Sequence, residues 1–347
     1  MRRPPFSAAI CAGAILALAS MTSALGQFTY TTLSVPAATS TSAYGIYGTN
    51  IVGFYESGTY HGFIYNGNSY TTLSVPNEEN TYAEGISGNN VTGYYNNGNG
   101  TAIEGFLYNG STYTTLSVPG AADTLAIGIS GNDVVGAYVG TTAELGFFYN
   151  GSIYTTLSVP GAILTAAAGI SGSDIVGYCY TNGYKGFIYN GSSYTLLTVP
   201  GAASTYAYGI SGNNIVGAYA TSGSVGAPTQ AFLYNIASGT YTTLSVAGAT
   251  SAYAYGMSGN NIVGGYTSSG VNYGFIAASA PVLNLTATAA AGQFQIAVSG
   301  SSSLTAILIS TNMLSWNPVY TNTPPFTFTD TMMTLFPSRF YRASTAQ

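Results

Sequence analysis

The chain has 347 residues, of which 5 are Lys or Arg, 10 are Asp or Glu and 1 is His. At 4% charged it lies far below the ~25% of an ordinary soluble domain. Five basic residues cannot build the positive footprint that phosphate backbones require. One His and two Cys exclude a metal site rich in those ligands, and a Ser-His-Asp enzyme would have to use His61.

Residues 1–26 read as a secretory signal. Arg2 and Arg3 form its charged start, and Ala8 to Ala19 form an apolar stretch too short to span a bilayer. Ala24-Leu25-Gly26 places small residues before an expected cleavage at Gln27. Cys11 leaves with this segment, so Cys179 remains alone and no intramolecular disulfide forms. The exported chain then carries 3 basic and 10 acidic residues, a formal charge of -7. Its stability outside the cell must come from backbone pairing and packing. No later stretch reaches ~18 unbroken apolar residues, so no membrane insertion is expected after cleavage.

From residue 28 the chain repeats itself. A Tyr-Thr-Thr-Leu-Ser-Val phrase starts at Tyr30, Tyr70, Tyr113, Tyr154, Tyr194 (as Tyr-Thr-Leu-Leu-Thr-Val) and Tyr241. The intervals are 40, 43, 41, 40 and 47 residues. A Gly-Ile-Ser-Gly-Asn-Asn-Ile-Val-Gly phrase recurs from Gly45, Gly85, Gly128, Gly169, Gly209 and Gly256. A Gly-Phe-Ile-Tyr-Asn-Gly phrase recurs around Phe63, Phe106, Phe147, Phe187, Phe232 and Phe275. Alternation, β-branched residues and Asn-Gly turns make each phrase a strand or hairpin. Each repeat therefore holds four strands: A (Ala-x-Gly-Ile), B (Ile-Val-Gly-x-Tyr), C (Gly-Phe-Ile-Tyr) and D (Tyr-Thr-Thr-Leu-Ser-Val).

Four strands per ~40–45 residues is the pattern of a β-propeller. The chain opens with a lone D over 28–35 and ends with an A-B-C set over 254–277 that lacks its D. Joining the two completes a sixth blade and removes a bare sheet edge. The expected fold is an all-β, six-bladed β-propeller over 27–279, closed by the N-terminal strand, with strand A nearest the axis. A β-solenoid of large coils is the alternative, though it would not need complementary ends. Residues 280–347 keep strand character without the phrases, at Leu283–Thr288, Gln293–Val298, Thr305–Ile309, Phe326–Thr329 and Arg339–Ala343. They predict a small C-terminal β-sandwich module with Trp316 as its core aromatic.

Spacings between phrases are nearly constant except between B and C. There, the residues between the B tyrosine (or Cys179) and the C glycine (or Ala231) number 6, 9, 7, 6, 11 and 7. In antiparallel blades the B–C and D–A connections share one face, so length variation collects on that face, where rigid scaffolds carry function. The scarce charges gather there too. Glu56, Glu104 and Glu144, with His61 and Lys185, are expected in B–C loops; Glu78, Glu79 and Asp123 in D–A connections; Asp133 and Asp174 in A–B turns. Tyr60, Tyr82, Tyr184 and Tyr273 fall outside the repeat-locked tyrosine positions and are expected in loops, where tyrosine offers sugars a stacking face. The candidate binding residues are Glu56, Tyr60, His61, Glu104, Glu144, Tyr184, Lys185 and Tyr273. None is assigned a catalytic role. His61 aligns with Glu104, Leu145, Lys185, Gln230 and Tyr273, six different residues in six copies, which suits an exposed position. Cys179 replaces a B-strand tyrosine and reads as a packed thiol. The Asn-x-Ser/Thr triplets at Asn109, Asn150 and Asn190 are the repeat's own turns. No cofactor or metal is expected, and Glu78-Glu79 read as a solvated acidic turn.

The run Tyr60-His61-Gly62-Phe63-Ile64-Tyr65, then Tyr-Thr-Thr-Leu, Ala-x-Gly-Ile and Ile-Val-Gly, resembles the HAF family of bacterial extracellular repeats over residues 28–279. Here only Tyr60–Phe63 retains the histidine, and Ser replaces the hairpin Asn. The resemblance implies export and a propeller, and it implies no reaction. The tail from Ser310 to Ala343 is similar to a fibronectin-like module at the C-terminus of large secreted bacterial proteins. The expected function is a secreted, non-enzymatic binding or surface-scaffold module whose partners are polysaccharide or cell-surface components, with no nucleic acid. Two alternatives stand beside it: a carbohydrate-active enzyme using the loop carboxylates, and a purely structural envelope or matrix protein.

Overall fold

The computed structural model of the chain describes residues 28–96, 98, 102–224, 227–279, 284–290, 293–299, 305–312, 314–323, 325–331 and 339–345. The expected signal segment 1–26, with Cys11, lies outside the described residues. Every helix or strand among those described is a strand. The chain divides into a compact unit over Tyr30–Ala278 and a second unit that contains Ser279–Gln347.

The repeat phrases become strands in the expected order. β1 (Phe28–Leu33) comes first. It is followed by β2 (Ser40–Tyr47), β3 (Asn50–Ser57), β4 (Thr59–Tyr65) and β5 (Tyr70–Leu73). The second set is β6 (Asn80–Ser87), β7 (Asn90–Asn96), β8 (Glu104–Tyr108) and β9 (Tyr113–Leu116). The third is β10 (Asp123–Ser130), β11 (Asp133–Val139), β12 (Glu144–Tyr149) and β13 (Tyr154–Leu157). The fourth is β14 (Leu164–Ser171), β15 (Asp174–Tyr180), β16 (Tyr184–Tyr189) and β17 (Tyr194–Leu197). The fifth is β18 (Ser204–Ser211), β19 (Asn214–Ala220), β20 (Thr229–Asn235) and β21 (Thr240–Leu244). The last is β22 (Ser251–Ser258), β23 (Asn261–Ser268) and β24 (Val271–Ser279).

Within each set, neighbours in sequence are neighbours in the sheet, in the order A-B-C-D. The final set pairs in the order β1-β24-β23-β22, so the first strand supplies the missing D. The third and fourth sets touch through one parallel pair, Glu144 with Leu164.

The phrases form strands because each contributes one packed face. The C-strand phenylalanines Phe63, Phe106, Phe147, Phe187, Phe232 and Phe275 are fully buried. The core lies between successive sheets: Phe63, Ala43, Ile46 and Ile51 pack with Leu33 and Val35 of the β1 segment and with Val263 of β23. Cys179 is buried in the equivalent layer beside Phe187, as expected of a packed thiol. The Asn-Gly turns also behave as read. Asn109, Asn150 and Asn190 each accept backbone N–H bonds through Oδ1 from the second and third residues onward, and Gly110, Gly151 and Gly191 take positive φ.

A buried threonine ties five of the six D strands to the next A strand. The N–H of Val35 donates to Thr41 Oγ1 at 3.0 Å, and the same bond recurs at Val75–Thr81, Val118–Thr124, Val159–Thr165 and Val199–Thr205. Ala252 stands at the sixth position, aligned by the glycine of its phrase. Leaving such an N–H buried without a partner costs about 1–3 kcal/mol. Thr124→Ala is therefore expected to destabilise by that amount. Ala252→Thr is expected to gain about 1 kcal/mol. Urea melts of the two variants check both, and a destabilised Ala252→Thr would refute the second.

The A strands are bulged at one place. The ladder skips one residue between Ala43 and Gly45, and likewise at Glu84, Ile127, Ala168, Tyr208 and Tyr255. Beside each bulge the phrase glycine meets the backbone of the next repeat. A Cβ on Gly45 would lie 2.7 Å from the carbonyl oxygen of Glu84. Gly85 faces Ile127, Gly128 faces Ala168, Gly169 faces Tyr208, Gly209 faces Tyr255, and Gly256 returns to Tyr44, at 2.4–2.8 Å. The contacts close on themselves, which is why each of these positions is glycine.

In the second unit, β25 (Asn284–Ala290), β26 (Gln293–Ser299), β27 (Thr305–Ser310), β28 (Asn317–Asn322), β29 (Phe326–Asp330) and β30 (Phe340–Thr345) form two three-stranded sheets, β25-β26-β29 and β28-β27-β30. Phe294, Ile296 and Val298 share a core with Ile307 and Tyr341. Trp316 is not its central aromatic. It sits half-buried just before β28, a strand outside those predicted from the sequence, while the Phe294 and Tyr341 rings stack at 4.6 Å. Asp330 is buried because Tyr341 donates to it at 2.6 Å and Arg339 pairs with it at 2.9 Å.

Candidate functional site: an axial tyrosine-lined cavity

The six bulged residues converge. Tyr44, Glu84, Ile127, Ala168, Tyr208 and Tyr255, with the glycines that follow them, line a cavity of about 340 Å³. A bulge re-aims its extra residue out of the ladder, and here all six point to one space. Tyr94 and Tyr178 join from the B strands, and a ring of Ile46, Ile86, Ile129, Ile170, Ile210 and Met257 adds an apolar collar.

The aromatic lining is continuous. Tyr44 stacks on Tyr255 at 4.1 Å and on Phe54 at 5.1 Å; Tyr255 reaches Tyr208 at 5.1 Å, and Tyr208 reaches Tyr178 at 6.0 Å. The arc opens at the third repeat, where Leu125 and Ile127 take the lining positions.

Glu84 is the one acid among the lining residues, and none of them is basic. No hydrogen bond or ion pair among the described residues reaches its carboxyl. The side chain keeps contact with the cavity, but protein closes around it. Loss of water pushes the carboxyl up to about 8. Its neutral form is therefore favoured around pH 7. Burial also holds the Tyr44 and Tyr94 phenols well above their ordinary value, and the nearby Glu84 adds to both shifts. Tyr178 rises to about 12, first by burial and then through Glu144.

The eight candidate residues from the sequence are all in strands, not loops, because B–C pairing runs past the repeat phrases, to Glu56–Tyr60, Tyr95–Glu104, Val139–Glu144 and Tyr180–Tyr184. Glu56 is in β3, Tyr60 and His61 in β4, and Glu104 opens β8. Glu144 opens β12, Tyr184 and Lys185 open β16, and Tyr273 lies in β24. Tyr82 is in β6, Asp123 opens β10, and Asp133 and Asp174 open β11 and β15; Glu78 and Glu79 do lie in a D–A connection.

Strand register splits the eight into two groups of four. Glu56 pairs with Tyr60, and Glu144 and Tyr184 occupy the same register as Tyr60, on one sheet face. His61, Glu104, Lys185 and Tyr273 are one residue on, on the other face.

Two tyrosines of the first group belong to the cavity's aromatic network. Tyr60 packs on Tyr82 at 5.2 Å and on Phe54 at 5.9 Å, and Tyr82 stacks on Tyr94 at 4.7 Å. Tyr184 meets Tyr206 at 4.9 Å and Tyr178 at 6.2 Å. Glu144 is half-buried, and burial raises its carboxyl. Glu56 accepts a bond from Ser40 Oγ at 3.2 Å.

The second group is held locally. His61 shares hydrogen bonds with Thr59 at 3.1 Å and Ser74 at 3.4 Å, Lys185 is opposite Cys179, and Tyr273 stacks on Tyr266 at 5.4 Å. Glu104 turns one buried carboxylate oxygen, Oε2, to no hydrogen-bond partner.

Glu84 escaped the sequence reading because it lies inside a repeat phrase. Its signal was available: the x of Ala-x-Gly reads Tyr, Glu, Ile, Ala, Tyr and Tyr within an otherwise fixed frame.

No protein family matches the chain, and no curated protein matches it. Solved structures do. TolB from Acinetobacter baumannii aligns at 16% identity and a TM-score of 0.44, over 63% of this chain and 60% of that one. The β-propeller domain of the trilobed protease from Pyrococcus furiosus aligns at 9% identity and 0.41, over 67% and 95%. The Pyrococcus horikoshii acylaminoacyl peptidase aligns at 8% identity and 0.42, over 73% and 48%. The chain thus spans 60% of that TolB chain, and it is an all-β protein whose structural neighbours include β-propellers.

Proposed function

We propose that the chain is an exported, six-bladed β-propeller of HAF-type repeats closed by its N-terminal strand, followed by a small fibronectin-like β-sandwich module. It acts as a non-enzymatic binding or surface-scaffold module, and its ligand is glycan. The ligand enters from the B–C/D–A face. One observation carries this reading: the unbroken run of rings from Tyr60 and Tyr184 through Tyr82, Tyr94, Tyr206 and Tyr178 to the cavity. Stacked tyrosines give sugars an apolar face with hydroxyls at the rim. The sheet order, with β1 completing the last set, and the self-closing glycine contacts support the blade count.

The carboxylates Glu56, Glu104 and Glu144 offer less to an enzymatic reading, since they come from three repeats and two sheet faces. The test is retention on insoluble cell-wall polysaccharide. Tyr60→Ala combined with Tyr184→Ala is expected to release most of the bound protein. His61→Ala combined with Tyr273→Ala, on the other sheet face, should leave retention unchanged. Equal retention by both double variants would overturn the reading.

A further inference from the structure

The cavity has an unusual balance of charge. It holds one carboxyl, several tyrosine rings and no basic side chain, and the carboxyl has no protein partner among the described residues. A carboxyl turned into a cavity, half-buried and without a protein partner, is costly for a fold to keep. A structural role does not explain it, because the same bulge position is filled by Ile127 and Ala168 in other repeats. A cation would complete such a site, pairing with the carboxylate and lying against the tyrosine faces. The chain's excess of acidic over basic residues favours the approach of such a ligand. About 340 Å³ is at the small end of ligand cavities, roughly 300–1,000 Å³. That is room for one hexose-sized group, not for a chain.

We propose that the axial cavity binds the free primary ammonium group of an amino sugar, with Glu84 as its counterion and Tyr44, Tyr94, Tyr208 and Tyr255 as the surrounding wall. This rests on the glycan reading above and names its ligand class. Binding converts Glu84 from acid to carboxylate. The ligand keeps its ammonium proton, and the proton leaving the Glu84 carboxyl goes to the buffer. Well below pH 8, as at pH 6.5, the complex should therefore form with release of about one proton.

The test is calorimetric titration of the full exported chain at pH 6.5, in buffers of different ionisation enthalpy. The probes are glucosamine, N-acetylglucosamine, glucose and cyclohexylamine. Glucosamine is expected to bind at least tenfold more tightly than either neutral sugar, with about one proton released. Glu84→Gln is expected to erase that preference, bringing glucosamine to within twofold of the neutral sugars; its thermal melt checks that the variant is folded.

Equal affinity for the three sugars, or a preference that survives Glu84→Gln, overturns the ammonium assignment and leaves the glycan reading standing. Glu84-dependent binding of cyclohexylamine as tight as that of glucosamine overturns the sugar assignment and keeps the cation site. Binding of no probe overturns both.

Discussion

A chain lacking residues 28–36 is expected to melt at least 10 °C below the intact one. β1 is the outer strand of the last sheet, paired with β24. It also brings Leu33 and Val35 into the core, at 3% and 8% exposure. Burying two such side chains contributes about 1.5–3 kcal/mol each. Tyr30, whose ring packs edge-on against the fully buried Phe275 at 5.8 Å, adds more. The loss of at least about 5 kcal/mol is comparable with the whole stability of an ordinary domain. At roughly 2–4 °C per kcal/mol for a unit of this size, the shift is large enough for a single melt by circular dichroism to decide. A finer measurement compares equivalent positions. Leu33→Ala should cost as much as Leu116→Ala, about 2–5 kcal/mol each, if β1 is packed like any other D strand. An unchanged melting temperature in the deletion would refute closure by the N-terminal strand.

The second large effect is expected at Glu84. Its carboxyl sits at about 8 in the folded chain against 4.5 for the ordinary value. A raised acid binds its proton more tightly folded than unfolded, so stability falls as pH rises through that interval. Below pH 4.5 both states are protonated and the group has no effect. Above pH 8 the full penalty is present. At about 1.4 kcal/mol per unit the whole interval is ~5 kcal/mol; water in the cavity screens the charge, and about half of that is the reasonable expectation. Glu84→Gln is expected to match the wild type near pH 5 and to exceed it by roughly 2–3 kcal/mol at pH 8. Glu144, which burial also raises, leaves a smaller slope of the same sign. Parallel melting curves for the wild type and Glu84→Gln between pH 5 and 8 would refute the burial of a neutral acid in the cavity.

How far the sequence could be read depended on whether a residue was copied. The strands were legible because their periodicity, β-branched residues and Asn-Gly turns recur six times, and the complementary ends pointed to β1 as the missing strand. The B–C loops were read as longer than they are. Glu56, His61 and Lys185 fall just beyond the phrases, yet hairpin pairing extends past the copied residues and takes them into strands. Alternation then sends neighbours such as Tyr60 and His61 to opposite sheet faces, so residues adjacent in sequence do not share a site. Glu84 was hidden for the opposite reason. It occupies a strand phrase, where a side chain is expected to pack, and only the bulge turns that position toward the axis. Trp316 was misjudged through composition: a lone tryptophan suggests a core, but the Phe294–Tyr341 pair fills the one here.

The closed ring of glycine-to-carbonyl contacts separates two jobs that most binding sites entangle. Its spacing is set by main-chain atoms, Gly45 against Glu84 and so on round to Gly256 against Tyr44, and owes nothing to which side chain projects inward. The six inward positions can therefore be exchanged without touching the main-chain contacts that space the repeats, and the present set of three tyrosines, one glutamate, one isoleucine and one alanine is one spelling among many. A library randomised only at Tyr44, Glu84, Ile127, Ala168, Tyr208 and Tyr255 would sample new ligand preferences on an unchanged frame. Duplication followed by drift at a single letter per repeat is a short evolutionary route to the same end.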